Sequence, residues 1–279
     1  METKTESHVN LQGVEVWLSC KDELSFNWIG QKDVLDQLLA AWMVVHEKDI
    51  PLNPRLIGKP GVGKTTLAYS AAKHLERDVY IYQCTMDTRP EDLLISPVID
   101  KQGGIRYVAS SLVTAMIRGG VCILDEANRM SEKSWASLAP LLDTRRYVES
   151  IVAGLKVYAD PNFRICVTMN DDASTFEIPE YIHSRLQPQI YLDFPEKEEE
   201  KAILQENLPF VKEEILNYVL EFLQRAHTSN ESYTIRDGIN IARYATKRIK
   251  SLDGKGNWQN LVRQAIAMVL GEEALIHAY

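Results

Sequence analysis

One run of the chain has residue types and spacing that can bind phosphate groups. Residues 58–65 read Gly-Lys-Pro-Gly-Val-Gly-Lys-Thr and fit G-x-x-x-x-G-K-[ST], between an apolar run and a helical pattern. The glycines let backbone amides approach phosphate oxygens, and the next helix offers unpaired N–H groups and its positive dipole end. Lys64 is expected to bridge the β- and γ-phosphates, and the Thr65 hydroxyl to ligate Mg²⁺. The predicted nucleotide-binding residues are Gly58, Pro60, Gly61, Val62, Gly63, Lys64, Thr65 and Thr66.

Two acidic residues, Asp125 and Glu126, directly follow the apolar run VCIL at 121–124. The carboxyl ends of parallel strands are where such sheets bind ligands. Asp125 can hold Mg²⁺ through water, and Glu126 can orient and deprotonate an attacking water. Strands often end in solvated acids, so this assignment depends on the phosphate-binding loop. Together the two motifs predict Mg²⁺-ATP as the ligand and its hydrolysis as the reaction.

The elements that position these residues form an alternating pattern. Short apolar runs of strand length alternate with helical patterns, which is typical of a parallel sheet buried on both faces. Helices are predicted from Asp33 to His46, from Lys64 onward and from Glu132 to Asp143. The predicted fold is therefore α/β, with a parallel five-stranded sheet and helices on both faces. The five runs are residues 55–57, 79–84, 121–124, 164–169 and 189–194.

Other segments depart from this alternation. Residues 98–108 and 147–158 have β-rich arms around a glycine and predict two hairpins, and VEVWL at 14–18 predicts an edge strand. Beyond Pro195 the spacing is helical only, which predicts a small all-helical lid domain. The expected domains are an N-terminal extension at 1–25, a nucleotide-binding core at 26–195 and the lid at 196–279.

The composition indicates which kinds of partner and which cellular compartment to expect. The net charge of −8 disfavours a broad nucleic-acid-binding face, because the protein's field repels phosphate backbones. The N-terminus has no apolar leader, and no run has the ~20 apolar residues of a membrane span. The cysteines lack metal-site spacing, and three lie in apolar runs, which predicts free thiols in a reducing, cytoplasmic compartment. They are Cys20, Cys84, Cys122 and Cys166.

The order of the motifs resembles the AAA+ ATPases over roughly residues 26–250. Within that family, DLL at 92–94, SLVTAMIRGGVCILDEANRM at 111–130 and IPEYIHSRL at 178–186 are similar to the MoxR-type branch. The resemblance implies a nucleotide-binding core followed by a helical lid. It also implies that the two hairpins are the helix-2 insert and the pre-sensor-1 insert of such proteins.

The resemblance implies roles for two further core residues. Asn170 matches sensor 1, whose amide polarises the water or touches the γ-phosphate; an asparagine in a strand-end turn is the alternative. Arg185 matches the arginine finger that completes the neighbouring subunit's site; a surface arginine is the alternative. The stretch around Arg185 reads HSRL, whereas the MoxR pattern usually ends DRF. The surroundings of the predicted finger therefore depart from the family.

Two further assignments concern the lid and the adenine. Arg236 matches sensor 2, which reaches the γ-phosphate of its own subunit; a first-turn arginine beside Asp237 is the alternative. Ile29, Gly30 and Gln31 occupy the position where such proteins contact adenine, although any chain entering a helix can carry Gly-Gln.

The resemblance implies a homo-oligomeric ring, expected to be a hexamer, that uses ATP to remodel or activate a protein partner. A von Willebrand factor A domain protein is the first partner expected. One alternative is a nucleic-acid-associated motor, which shares the P-loop and the inserts but conflicts with the acidity. Another is a nucleotide-dependent scaffold with little turnover, which conflicts with an intact Glu126.

Overall fold

The computed structural model describes residues 7–25, 27–171, 178–229, 231–254 and 256–278, so the first six residues of the predicted N-terminal extension lie outside it. The described strands are β1 (His8–Leu11), β2 (Val14–Trp17), β3 (Arg55–Gly58), β4 (Val79–Gln83), β5 (Ile95–Ile99), β6 (Ile105–Ala109), β7 (Val121–Asp125), β8 (Tyr147–Ser150), β9 (Leu155–Tyr158), β10 (Arg164–Asn170) and β11 (Gln189–Tyr191). The described α-helices are α1 (Lys32–Trp42), α2 (Lys64–His74), α3 (Ser111–Arg118), α4 (Glu132–Leu138), α5 (Glu180–His183), α6 (Lys197–Asn207), α7 (Glu213–Thr228), α8 (Ile235–Ser251) and α9 (Trp258–Leu270). Short 3₁₀ helices span Pro90–Leu93, Ala127–Arg129 and Glu272–His277.

The central sheet is five-stranded and parallel, in the order β11-β3-β10-β7-β4. Each strand arises from one of the five apolar runs, so the predicted fold is confirmed. All seven residues of β10 are buried, as are the first four of β7. Continuous burial of this kind requires layers on both sheet faces, and α1, α2 and α3 contact the sheet.

The strand order places three functional strand ends side by side. β10 lies between β3 and β7, with Asn170 paired to Gly58 on one side and Val167 to Leu124 on the other. The start of the phosphate-binding loop, the Asn170 side chain and the two acidic residues therefore share one edge of the sheet. This is the edge at which parallel α/β sheets bind ligands.

Both predicted hairpins are present. β5 and β6 form the first hairpin and β8 and β9 the second, each antiparallel. The first belongs to a four-stranded sheet of order β1-β2-β6-β5, so the prediction of an edge strand at VEVWL is wrong. β2 is interior because β1 pairs with one side and β6 with the other, and β6 is distant in sequence.

Two helices end earlier than predicted. α1 ends at Trp42, whose carbonyl accepts a hydrogen bond from Arg164 Nε at 2.7 Å instead of continuing the helical ladder. α4 ends at Leu138, two residues before Pro140. Proline lacks an N–H and disfavours helical geometry in the residue before it.

Contacts divide the chain into two compact units. The core unit comprises the described residues of Met1–Asn27, Lys32–Gly58 and Lys64–Leu192. The helical unit comprises the described residues of Trp28–Gln31, Lys59–Gly63 and Asp193–Tyr279. Each unit has its own apolar core, with Trp135 and Phe163 central to the first and Phe222 to the second.

The four cysteines are free thiols, with Cys20 exposed and Cys84, Cys122 and Cys166 buried. Burial raises the pKa of each of the three buried thiols, because the thiolate would lose its hydration. No helix in the described part of the chain is long and apolar enough to cross a bilayer.

The helical unit contains a fully buried carboxyl, Glu200. Gln224 Nε2 donates to its Oε2 at 2.7 Å, while its Oε1 lies 4.0 Å from His227 Nδ1 without a hydrogen bond. His227 Nε2 lies 2.7 Å from the Tyr233 carbonyl, which can only accept, so Nε2 carries the proton. Burial raises the pKa of Glu200 from 4.5 to about 7, and the Gln224 bond only partly opposes this.

We expect Glu200→Gln to stabilise the protein at pH 8 and to have little effect near pH 4.5. The unfolded chain ionises Glu200 near pH 4.5, but the folded protein does so only near pH 7. Stability relative to the glutamine variant therefore falls as pH rises through this window, by up to about 3 kcal/mol. Urea unfolding followed by tryptophan fluorescence at several pH values measures the difference. Glu198→Gln, an exposed change on the same helix, is the control and should show no such trend.

Candidate active site

Asp125 is held by two hydroxyl groups at the carboxyl end of β7. Thr65 Oγ1 and Thr168 Oγ1 each donate to Asp125 Oδ1 at 2.6 Å. Thr65 lies in the first turn of α2, and Thr168 lies on the neighbouring strand β10. The structure thus brings together the two predicted Mg²⁺ ligands, Thr65 and Asp125.

Glu126 has an unusual backbone conformation next to this cluster. Its φ of 53° lies in the left-handed region, which is uncommon for a residue with a side chain and recurs at functional sites. Its N–H donates to Thr168 Oγ1 at 2.9 Å, so one hydroxyl contacts both acidic residues. Asn170 Nδ2 donates to Glu126 Oε1 at 3.3 Å, which places the predicted sensor 1 beside the predicted base.

Arg129 contacts the other carboxylate oxygen of Glu126. Its Nε lies 2.6 Å from Glu126 Oε2, and the two side chains are 32% and 34% exposed. Both oxygens of Glu126 are therefore engaged, Oε2 by a full positive charge. If Glu126 is the base, as predicted, this ion pair must open before that oxygen can face a water.

The sequence reasoning did not identify Arg129, Thr168 or Asn128. Arg129 follows Glu126 by three residues, a spacing at which side chains meet on a helical turn. Thr168 is one of several β-branched residues in a buried strand and has no local signal. Asn128 Nδ2 donates to the Asn170 carbonyl at 2.9 Å, and this contact depends on tertiary structure alone.

Lys64 is the first residue of α2, as predicted, and is only 6% exposed. Its Nζ donates to the Gly58 carbonyl at 2.8 Å, so the side chain folds back across the loop. Both residues belong to the core unit. The lysine charge is thereby placed over the loop that the motif predicts to hold phosphate.

The middle of the phosphate-binding loop, residues 59–63, makes its contacts within the helical unit. Gly61 has φ +82°, and a Cβ there would lie 2.8 Å from Thr234 Oγ1. Gly63 has φ +98°, and a Cβ would lie 3.0 Å from the Trp28 ring. Thr234 is the N-cap of α8, and the exposed Arg236 follows in its first turn. The predicted sensor 2 therefore lies two residues from a direct contact with this loop.

The predicted adenine-contact residues also lie in the helical unit. Gly30 has φ +82° and lies directly against the Glu199 side chain. Glu199 Oε1 accepts from Gln31 N at 2.7 Å, and its Oε2 accepts from Glu196 N at 3.1 Å at the start of α6. This carboxylate fixes the segment that includes Ile29 to the first helix of the unit.

Arg185 is paired within its own chain. Its Nε lies 3.6 Å from Asp143 Oδ2, its Nη1 donates to the Tyr181 carbonyl, and its side chain is 29% exposed. Asp143 also binds Arg145, which is the main reason that the pKa of Asp143 is lowered to about 2. The structure places Arg185 in a loop of the core unit and does not bring it to Asp125 or Glu126.

The donors at this edge are suited to Mg²⁺. The described residues contain no group of three or more His, Cys, Asp or Glu side chains that could hold a metal alone. Mg²⁺ takes one or two protein oxygens and completes its shell with substrate phosphates and water. One hydroxyl and one carboxylate, 2.6 Å apart, match that requirement.

One family model matches the central part of the chain. Residues 55–186 match the family described as AAA domain (dynein-related subfamily). This match and the fold support an ATPase, so the predicted AAA+ fold and enzyme class are confirmed.

Relatives extend over more of the chain at lower identity. An uncharacterized protein of Staphylococcus epidermidis is 24% identical over 206 residues, covering 70% of this chain and 78% of its own. The Holliday junction branch migration complex subunit RuvB of Pseudothermotoga lettingae is 28% identical over 124 residues, covering 44% of this chain. The chain spans 32% of the length of that RuvB subunit.

Solved structures agree on the fold. The RuvB Holliday junction branch migration motor of Thermotoga maritima superposes with a TM-score of 0.58, covering 86% of this chain and 70% of that chain. The sequences are 18% identical, so this likeness shows the architecture alone.

We expect Arg129→Gln to raise basal ATP turnover by roughly 1.5- to 5-fold. Partly exposed ion pairs are worth about 0.2–1 kcal/mol, and releasing Glu126 would lower the barrier by that amount. Steady-state turnover at saturating ATP measures the effect, with Lys133→Gln as a matched charge-removing control. A fall in rate comparable to that of Glu126→Gln would show instead that Arg129 orients the base.

Proposed function

We propose that the chain is a cytoplasmic, Mg²⁺-dependent AAA+ ATPase of MoxR-like type that assembles into a ring and remodels a protein partner. The observation that carries the hydrolytic part is the cluster of Thr65, Asp125, Glu126 and Asn170 at adjacent strand ends. These are the side chains that phosphoryl transfer to water requires: a metal holder, a base and a polar group for the water.

In this proposal each predicted site residue of the core unit has one role. Lys64 neutralises phosphate charge, and Thr65 and Asp125 would hold Mg²⁺, which supplies charge neutralisation at the phosphates. Glu126 accepts a proton from the attacking water once its carboxylate leaves Arg129. Asn170 positions that water through its amide, which contacts the carboxylate oxygen of Glu126 that Arg129 does not.

We assign Arg236 as sensor 2 and residues 59–63 as the middle of the phosphate-binding loop. The contact of Thr234 with Gly61 supports a role for Arg236 at the γ-phosphate. Ile29 and Gly30 would contact the adenine, since Glu199 fixes their segment to α6.

A ring follows from Arg185. The Arg185 side chain contacts Asp143, but at 3.6 Å this contact is long for a charged hydrogen bond. Asp143 is also shared with Arg145. Little free energy is therefore lost when Arg185 leaves Asp143 to bind a phosphate in the neighbouring subunit. We assign Arg185 as the residue that completes the adjacent subunit's site, in a homo-oligomer expected to be a hexamer.

A protein partner is favoured by the chemistry of the hairpins. Their tips expose aliphatic side chains, with Ile99 78% and Ile151 91% exposed. Two of their three cations are engaged by aromatic rings, Arg106 over Trp17 at 4.0 Å and Lys156 over Tyr147 at 4.5 Å. Apolar tips bind protein surfaces, whereas phosphate backbones require free cations. A von Willebrand factor A domain protein remains the first partner to test.

A second candidate is a nucleic-acid-associated motor. The relatives include RuvB, whose name places it in Holliday junction branch migration. One surface of this chain also fits anionic ligands: α8 carries five basic residues and a single acidic residue, Asp237. The basic residues are Arg236, Arg243, Lys247, Arg248 and Lys250.

We expect Arg185→Ala to lose most ATP turnover, since a charge-stabilising arginine contributes about 10³- to 10⁵-fold in phosphoryl transfer. Mixing the Arg185→Ala and Glu126→Gln proteins should restore part of the activity. In a mixed ring, a subunit with an intact Glu126 can lie next to a subunit with an intact Arg185. Arg145→Ala, which also removes a partner of Asp143, is the control and should remain active. Full-rate hydrolysis by Arg185→Ala monomers in light scattering would contradict both the finger and the ring.

We expect single- and double-stranded DNA and RNA to leave ATP turnover unchanged at near-physiological salt. The reason is the shortage of free cations at the hairpins and the net charge of −8. Turnover measured with and without each nucleic acid across a salt series tests this. A several-fold stimulation that is lost as salt rises, and is removed by Lys247→Glu on α8, would favour the motor instead.

A further inference from the structure

A cavity of about 480 Å³ lies in the core unit at the base of the second hairpin. Its walls come from the 3₁₀ helix at Pro90–Leu93, the start of β5, α4 and the turn after β8. None of the residues assigned above to ATP hydrolysis lines it. The volume is within the range of ligand-binding pockets, so the cavity can hold two or three side chains of another molecule.

The lining of this cavity is apolar with an acidic component. Leu94, Ile95 and Ile151 contribute aliphatic surface, and Glu91 and Glu149 contribute carboxylates. No lysine or arginine is among the described residues that line the cavity. It therefore fits a protein segment that presents aliphatic side chains next to a positive charge.

The tip of the first hairpin has this chemistry. Ile99 and Ile105 are cross-strand partners at the ends of β5 and β6, and they are 78% and 69% exposed. Lys101, in the turn between them, is exposed. The neighbouring Asp100 carboxylate accepts hydrogen bonds from Gln102 N and Gly104 N, both at 2.8 Å, so it is engaged by the turn itself.

The tip cannot fill the cavity of its own chain. Ile95 lines the cavity and Ile99 lies four residues further along the same extended strand. At about 3.3 Å per residue, this separates them by roughly 13 Å. β2 pairs with β6 only at Tyr107 and Val108, so the tip is a two-stranded ribbon directed away from the four-stranded part of the sheet.

We propose that the first-hairpin tip of a second copy of this chain inserts Ile99 and Ile105 into the cavity, with Lys101 facing Glu91 and Glu149. This contact rests on the ring of the proposed function and names a surface that holds neighbouring copies together. It is separate from the contact of Arg185 with the adjacent ATP site.

A cyclic peptide tests the contact directly. It contains residues 97–107, is closed by a disulfide between added terminal cysteines and carries a fluorophore. Fluorescence anisotropy with the full-length chain, without nucleotide, should show saturable binding that unlabelled peptide reverses. The same peptide with Ile99→Ser and Ile105→Ser should bind at least about tenfold more weakly, since burying one such side chain contributes about 1.5–3 kcal/mol. Equal binding of both peptides, or none up to about 1 mM, would overturn the proposal.

Variants of the protein locate the binding site. Ala136→Trp should fill the cavity from an exposed position on α4 and abolish binding. Val152→Lys should weaken binding, because it places a positive charge against Lys101 of the peptide. Lys133→Trp, on the same helix but outside the lining, is the matched control and should bind like wild type. Undiminished binding by folded Ala136→Trp and Val152→Lys would place the peptide elsewhere and overturn the proposal. If Glu126→Gln restores activity to Arg185→Ala but the peptide does not bind, the proposed ring is supported and only this contact is wrong.

Discussion

The hydroxyl of Thr168 is the contact on which the geometry of the proposed hydrolytic residues depends. It donates to Asp125 Oδ1 at 2.6 Å and accepts from Glu126 N at 2.9 Å, so it fixes one acid by its side chain and the other by its backbone. The parallel register of β10 and β7 brings this hydroxyl to the end of β7. A valine there would suit the strand equally well, but it would leave both groups without this partner. The left-handed backbone at Glu126 is thus held by a neighbouring strand.

The central sheet was predictable from sequence because its determinants are local. Five apolar runs between helical patterns gave its five strands, and the loop motif located the start of α2 at Lys64. Two of the errors arose where distant segments decide the outcome. The Trp42 carbonyl is taken by Arg164, which lies far along the chain, and α1 ends there. β2 is interior because the separate segment β6 pairs with it. Thr168 acquires its contacts with Asp125 and Glu126 only when β7 and β10 lie side by side.

The phosphate-binding loop takes part in both units of the chain. Its ends, Gly58 and Lys64, contact each other in the core unit, while its middle contacts Trp28 and Thr234 in the helical unit. In the same unit Lys59 lies 4.7 Å above the Phe194 ring, which stacks on His227 beside the buried Glu200. The middle of the loop is therefore part of the packing of the helical unit. The glycines at 61 and 63 allow this close approach, because a Cβ at either position would meet a neighbouring side chain.

The distribution of the cysteines has a practical consequence. Three thiols are buried, and burial raises the pKa of each, which keeps them protonated and inaccessible to electrophiles. Cys20 is exposed, between β2 and α1. A maleimide dye added to the native protein should therefore attach at one known position. The folded chain can therefore be labelled at Cys20 for distance measurements by fluorescence, without any engineered substitution.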